Sequence, residues 1–302
     1  MNKKDSLGDR MKEFYENRSK TYLTRRTPVI IRLDGKAFHT FTKGFKRPYD
    51  EIFHNTMNLT MKYLCEEIQG CVFGYTQSDE ITLILIDYQT LETNAWFGWE
   101  VQKMCSVAAS MATLAFNKFF ERNVERECQI GLLQEYGIET KPIALCEAYC
   151  RSMEKGATFD CRCFNIPKEE ACNLVYWRQL DATRNSIQMV GQANFSHNEL
   201  QDKSCNEIQD MLFLQKGMNW NDLATNLKRG TSVYYKDTMW VVDKEMPILK
   251  GEDREYIEKL INFEDSIDLN EDERASAAFY RHYDHTIYVD ANASFPIKCL
   301  AT

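Results

Sequence analysis

Short apolar runs alternate with stretches of helical periodicity over the first half of the chain. Residues 28–34 place four apolar side chains in one run that ends at Asp-Gly, which is typical of a buried strand that stops at a turn. Residues 49–69 and 100–119 repeat apolar side chains at helical spacing, and each segment predicts a helix. The other predicted strands are 71–76 and 80–86, joined by a tight turn, and 157–164.

The resulting order is strand, helix, strand, strand, helix, strand. This is the split βαββαβ order of ferredoxin-like α+β folds, and it leaves residues 121–156 as an insertion to which the pattern assigns no role. We therefore divide the chain into a first domain, 1–166, and a mostly helical C-terminal region, 167–302. The elements predicted in the second region are helices at 169–190, 199–214 and 221–228, strand pieces at 231–243, and a charged helix at 250–280.

Composition excludes some function classes. No apolar run approaches the ~18 residues that a membrane span requires. The N-terminal MNKKDSLGDR has no apolar stretch behind its lysines, so we expect no secretory signal and a cytoplasmic location in which the eleven cysteines stay reduced. The net charge of −8 is unusual for a nucleic-acid partner, so an RNA-binding face would have to be a local basic surface.

Two acidic residues follow strands that the βαββαβ order makes neighbours. Asp34 ends the first strand, and Asp79 lies in the turn between the second and third. Either one alone is more often a solvated turn residue, but together they could share two magnesium ions, which two-metal sites hold about 3.5–4 Å apart. Gly35 would let a metal or a triphosphate approach the backbone, and residues 36–39 could direct backbone N–H groups at phosphates.

Two segments stand out as sequence motifs: IRLDGKAFHTF at 31–41 and GYTQSDEITLIL at 74–85. They resemble the first and second motifs of the tRNA-His guanylyltransferase family. Further similarities, in family order, are Phe159-Asp160-Cys161-Arg162, Trp177-Arg178-Gln179-Leu180-Asp181 and Lys228-Arg229-Gly230-Thr231. The resemblance covers about residues 25–235, and it implies a polymerase-type palm in 1–166 and a region 167–302 that completes the nucleotide and tRNA site.

The resemblance also implies roles for individual residues. Asp34, the Gly35 carbonyl and Asp79 would bind two Mg²⁺ ions, and Glu80 would support the site as a third catalytic acid. The implied nucleotide-binding residues are Asp34, Gly35, Lys36, Ala37, Phe38, His39, Arg47, Ser78 and Asp79. The implied contacts to RNA or phosphate are Arg178, Asn185, Lys228 and Arg229.

The implied reaction extends the 5′ end of tRNA in the 3′-to-5′ direction. ATP or GTP activates a 5′-monophosphate, the 3′-hydroxyl of an incoming nucleotide attacks it, and pyrophosphate is then removed from the new end. Eukaryotic members carry His-Ile-Asn-Asn-Leu-Tyr-Asn where this chain has 183–189, and only Asn185 matches cleanly. This difference is typical of the guanylyltransferase-like branch of 3′-5′ polymerases, so we predict template-dependent repair of tRNA 5′ ends.

Three alternatives stay open at this point. The chain could add guanosine to tRNA-His without a template, as the eukaryotic enzymes do. It could be a two-metal nucleotidyl cyclase, which would use Asp34 and Asp79 and need no RNA. It could also be a non-catalytic RNA-binding module, although the intact acidic motifs argue against a decayed site. The resemblance further implies a homotetramer, assembled as a dimer of dimers.

Overall fold

A six-stranded antiparallel sheet forms the centre of the molecule. In this computed structural model the described residues are 6–133 and 143–262. The strand order is β4-β1-β3-β2-β5-β6, and each neighbouring pair is antiparallel. The strands are β1 (Val29–Gly35), β2 (Cys71–Gln77), β3 (Glu80–Leu85), β4 (Phe159–Asn165), β5 (Thr231–Lys236) and β6 (Met239–Asp243).

Helices account for most of the other described residues. The helices in chain order are α1 (Ser6–Met11), α2 (Phe38–Phe41), α3 (Glu51–Glu67), α4 (Val101–Leu133), α5 (Ile143–Lys155), α6 (Lys168–Asn194), α7 (His197–Leu200), α8 (Cys205–Lys216), α9 (Thr225–Arg229) and α10 (Glu255–Ile261). No helix in the described ranges combines the length and the apolarity that crossing a bilayer would demand.

Helices cover both faces of the sheet. Alternate residues of β1 point to opposite faces, and the apolar side chains on each face are buried against a helical layer. On one face Ile31 and Leu33 are fully buried in a core shared with Met57 of α3 and Phe116 of α4. On the other face Ile30 packs in a second core with α6 and α10. The result is a mixed α/β fold in which a buried sheet lies between two helical layers.

The observed elements confirm most of the predicted ones and correct others. The helix predicted at 100–119 extends to Leu133, since apolar positions continue on its buried face through Phe120 and Val124. The segment predicted at 199–214 divides into α7 and α8, because Ser204 begins a new helix with its own capping box. The prediction at 221–228 was too long, as only 225–229 is α-helical. In the predicted helix 250–280, α10 is observed and residues 263–280 lie outside the described residues.

The strand pieces predicted at 231–243 are confirmed, but the pattern did not indicate where they lie. β5 pairs with β2, and β6 pairs with β5, so residues beyond 166 extend the sheet that the first region begins. The two predicted regions therefore share one sheet in the described part of the chain.

Candidate active site

The ends of β1 and β3 bring the two acidic motifs together. The register of this pair places Asp34 directly opposite Glu80. The Gly35 N–H donates to the Asp79 carbonyl oxygen at 3.0 Å, which joins the two turns. On its other side, Asp34 lies opposite Asp160 of β4. The prediction that the first and third strands are neighbours is confirmed, and it places the predicted acidic residues in one region.

Asp79 is an acid in an unfavourable environment for its charge. Burial raises its pKa above the ordinary value, and the nearby Asp34 carboxylate raises it further. The Ser78 hydroxyl, which donates to Asp79 Oδ1 at 2.9 Å, lowers this pKa, as does the nearby His39 imidazole. Within the described part of the chain, neither Asp34 nor Asp79 forms an ion pair with Lys or Arg. The pair is therefore a concentration of negative charge that a cation would stabilise.

Each of the two motif turns has a residue other than glycine in the left-handed backbone conformation that favours glycine. Ala37 has φ 55° and Ser78 has φ 51°, and such strained positions cluster at functional sites. Gly35 is constrained in a different way, because a Cβ there would lie 2.3 Å from the ring of Phe38. The backbone at Gly35 can take this path only because it has no side chain.

Glu80 is neutralised by a buried arginine. Arg178 of α6 forms a two-pronged ion pair with Glu80, with Nε–Oε1 at 2.7 Å and Nη2–Oε2 at 2.9 Å. The same Nη2 contacts Asp181 Oδ2 at 3.0 Å. Burial raises the pKa of Glu80, and Arg178 and Arg32 oppose that effect. The predicted phosphate contact of Arg178 stays a prediction, since the structure places this side chain against two carboxylates.

A pocket of about 510 Å³ opens beside the two turns. Most of the residues implied for nucleotide binding line it, and they come from the end of β1, from α2 and the residue before it, from the segment between α2 and α3, and from the turn between β2 and β3. The predicted residues in its wall are Gly35, Ala37, Phe38, His39, Arg47, Ser78, Asp79 and Asn185. The predicted residues outside the wall are Asp34, Lys36, Glu80, Arg178, Lys228 and Arg229.

The pocket also contains residues that the sequence reasoning missed. They are polar side chains on the segment before α3, on α3 itself, on α6 and on α9, namely Lys46, Asp50, His54, Asn58, Gln192 and Asn226. A signal existed for Asp50, because an acidic residue before a helical pattern is a common N-cap, and its side chain accepts the Phe53 N–H at 3.0 Å. The amides on α6 and α9 lack such a signal, since only the tertiary fold brings those helices to the pocket.

Lys228 and Arg229 end α9 without entering the pocket wall. The Lys228 ammonium donates to the Asn221 carbonyl at 2.5 Å. The Arg229 carbonyl accepts a hydrogen bond from the Tyr75 hydroxyl, also at 2.5 Å. These bonds fix the end of α9, and the contacts of both residues with RNA stay predictions.

The donor set suits a hard divalent cation that is shared with a substrate. Among residues 6–133 and 143–262, no three His, Cys, Asp or Glu side chains are grouped so that they could hold a metal ion by themselves. Magnesium commonly takes one or two carboxylates and completes its shell with waters and substrate phosphates. Asp34, Asp79 and the Gly35 carbonyl provide oxygen atoms only, and the mutual repulsion of the two acids fits the same assignment.

Comparisons with known proteins point in one direction. The sequence model of the tRNAHis guanylyltransferase family matches residues 8–167. A solved bacterial tRNA(His) guanylyltransferase-like protein in complex with ATP is 40% identical, covers 85% of this chain and 100% of its own, and has a TM-score of 0.71. A structure of the same description in complex with GTP is 37% identical, with 86% and 100% covered and a TM-score of 0.67. The tRNA(His) guanylyltransferase of Saccharomyces cerevisiae is 28% identical over 69% of this chain and 82% of its own length.

Proposed function

Since this chain belongs to the tRNAHis guanylyltransferase family, whose model matches more than half of its 302 residues, we propose that it repairs tRNA 5′ ends against a template. The coarser activity follows from the family: the protein is a nucleotidyltransferase that adds nucleotides to tRNA in the 3′-to-5′ direction. Two observations support the templated form. Residues 183–189 depart from the eukaryotic motif, and the bacterial guanylyltransferase-like protein is more similar to this chain than the yeast enzyme is.

One observation carries the proposal for the site. Asp34 and Asp79, neither of which forms an ion pair with a described Lys or Arg, meet beside a pocket lined by Gly35, Ala37, His39 and other residues of the same two motifs. A pocket of about 510 Å³ falls within the range of small-molecule sites, and the related bacterial structures hold ATP and GTP. We infer that the nucleotide occupies this pocket with its phosphates toward the two acids.

Different residues of this chain would then bind the metal ions, bind the phosphates and position the acids. Asp34, Asp79 and the Gly35 carbonyl would hold two Mg²⁺ ions, which when bound would neutralise phosphate charge and make the attacking 3′-hydroxyl easier to deprotonate. Arg47 lines the pocket and has no ion-pair partner among the described residues, so it is suited to the triphosphate or the activated 5′ end. Glu80 keeps its position through Arg178 and so supports the end of β3 that carries Asp79.

The pocket wall also contains groups suited to a base. Asn58, Asn185, Gln192 and Asn226 present amides there, and amides both donate and accept hydrogen bonds. Two of these residues lie on α6 and one on α9, which supports the proposal that region 167–302 completes a palm domain at 1–166. The antiparallel order β4-β1-β3-β2 supports a ferredoxin-like palm for that domain. A cytoplasmic location and a homotetramer stay predictions.

Templating is tested with tRNAs that lack their first nucleotide and differ only in the nucleotide opposite the gap. Each carries a 5′-triphosphate, which supplies pyrophosphate as the leaving group so that no activating nucleotide is needed. Each is incubated with Mg²⁺ and one labelled nucleoside triphosphate at a time, and extension is measured on a denaturing gel. We expect addition of the nucleotide that pairs with the opposite base. Addition of guanosine alone, whatever base stands opposite, would contradict templating and favour the non-templated activity of the eukaryotic enzymes.

Two variants make this experiment specific. Asp79→Ala should abolish extension while RNA affinity stays near the wild-type value, because the change removes a proposed metal ligand. Asp210→Ala is the matched control, since Asp210 is an exposed acid of α8 outside the pocket wall. Equal extension by wild type and Asp79→Ala would refute the assignment of the metal site. Conversion of nucleotide without RNA would favour a cyclase.

A further inference from the structure

Helix α5 lies in the segment 121–156, for which the sequence pattern assigns no role, and it contacts the wall of the pocket. Three of its side chains donate to the segment that runs from the end of α2 to the start of α3. The Tyr149 hydroxyl donates to Asp50 Oδ2 at 2.7 Å, and the Ser152 hydroxyl donates to the Phe41 carbonyl at 2.6 Å. Arg151 Nη2 donates to the Lys43 carbonyl at 3.2 Å.

Residues 42–50, which we name the pocket loop, also contact α6, since the Tyr49 hydroxyl lies 2.6 Å from Ser186 Oγ. The loop presents Lys46, Arg47 and Asp50 to the pocket, and it is neither helix nor strand. Its apolar residue Phe45 is buried and meets the ring of Tyr149 edge-on, with the ring centroids 4.9 Å apart. The same tyrosine therefore contacts the loop through both its ring and its hydroxyl.

Asp50 connects these contacts to the pocket. Its side chain accepts the Phe53 N–H at 3.0 Å, the Lys46 N–H at 3.1 Å and the Tyr149 hydroxyl at 2.7 Å. The residue is only 5% exposed although it is part of the pocket wall. A buried carboxylate needs its donors, so loss of the one from α5 weakens the arrangement that holds Lys46 in place.

We propose that α5 is a clamp that holds the pocket loop in its nucleotide-binding position, and that Tyr149 is a positioning residue for the nucleotide. This inference rests on the proposed function of the pocket. Tyr149 itself does not line the pocket, so its effect on the nucleotide passes through Asp50, Lys46 and Arg47.

Loss of the Tyr149 hydroxyl should lower the affinity for the nucleotide and leave the reaction rate of the bound complex nearly unchanged. If the loop leaves its position for part of the time, only a fraction of the protein molecules can bind the nucleotide. The apparent Kd then equals the intrinsic Kd divided by that fraction. Loss of a hydrogen bond to a buried charged acceptor is large enough to weaken nucleotide binding about 3- to 30-fold. The KM for the nucleotide should rise by a similar factor while kcat changes little, since the acids at the end of β1 and β3 are untouched.

The test compares Tyr149→Phe, which removes only the hydroxyl, with Tyr63→Phe. Tyr63 is a partly buried tyrosine of α3 that packs on the same core, does not line the pocket, and has no side-chain hydrogen bond among the described residues. For each full-length variant we would measure the Kd for ATP without RNA. We would also measure hydrogen exchange of the backbone amides of residues 42–53 in the absence of any nucleotide.

Tyr149→Phe should weaken ATP binding and speed exchange at the Lys46 and Phe53 amides, whereas Tyr63→Phe should change neither. Unchanged exchange, unchanged affinity, or equal losses in both variants would overturn the clamp. If Tyr149→Phe fails to fold, Ser152→Ala carries the same test, because it removes the bond to the Phe41 carbonyl. A wild-type protein that does not extend tRNA would contradict the proposed function, while the exchange data would still decide whether α5 holds the loop.

Discussion

The ion pair between Arg178 and Glu80 allows a sharp test of what supports the active site. Replacing Arg178 by Met keeps the length of the side chain and removes its charge. Arg178 is 8% exposed and Glu80 is 13% exposed, so the variant leaves a carboxylate buried without its two-pronged partner. Because the structure assigns Arg178 to Glu80 and Asp181, we expect the main effect to be loss of stability rather than loss of RNA affinity.

The size of the loss follows from the geometry. Breaking a buried ion pair by removing one partner costs about 3–5 kcal/mol. Two features of this site reduce the figure: Arg32 also favours the charged form of Glu80, and Asp181 keeps its contact with Arg184. We therefore expect a decrease of about 2–4 kcal/mol in the free energy of unfolding, and a fall in Tm of roughly 5–12 °C for a protein of this size.

A double-mutant cycle with Glu80→Gln isolates the pair. Unfolding in urea, followed by circular dichroism at pH 7.5, would give the free energy for the wild type, both single variants and the double variant. We expect the double variant to lose less stability than the two single variants lose together, and the difference should be at least about 1.5 kcal/mol. The deficit of Arg178→Met should also shrink toward pH 5, because burial already raises the pKa of Glu80 and loss of Arg178 raises it further, so that the acid can protonate.

Additive losses in the cycle would refute the structural role of this pair. So would an Arg178→Met protein of wild-type stability that binds tRNA less tightly and with a smaller dependence on salt. That outcome would show that Arg178 contacts RNA phosphate, as the family resemblance implies.

Three further predictions concern the pocket and its surroundings. Asp79→Asn should raise the Tm of the metal-free protein at pH 7, by an amount equivalent to about 0.5–2 kcal/mol, because burial and a neighbouring carboxylate raise the pKa of Asp79. The gain in stability should vanish below the ordinary pKa of Asp, where the acid is neutral in the folded and unfolded states. A lower Tm of the variant at pH 7 would contradict this reasoning. Gly230→Ala should lower the free energy of unfolding in urea by about 2–4 kcal/mol, since φ is 87° and a Cβ would lie 2.6 Å from the Thr76 carbonyl oxygen. Gly251→Ala is the control, with φ 63° and no neighbouring atom within 4 Å of the new Cβ, and it should lower the free energy of unfolding by about 1 kcal/mol. Arg47→Met should raise the nucleotide KM about tenfold with little change in kcat in steady-state extension assays, and the reverse pattern would exclude a role in binding.

The sequence by itself determined the elements that local pattern encodes. The apolar run before Asp34 predicts β1, and the two runs around Asp79 predict the hairpin of β2 and β3. The order of elements then predicts that the first and third strands are neighbours, because few arrangements of such a sheet are possible. The family motifs added Glu80 to the candidate acids and further residues of the pocket wall, such as Arg47 and Ser78.

Only the tertiary structure decided which side chains complete the site. Whether Arg178 meets phosphate or Glu80 depends on how α6 crosses the sheet, and the pairing of β5 with β2 depends on a contact between distant segments. The bond from Tyr149 to Asp50 joins residues 99 positions apart. Single polar residues carry no periodicity and can pair with many partners, so their contacts are decided by the packing of whole helices and strands rather than by the neighbouring sequence.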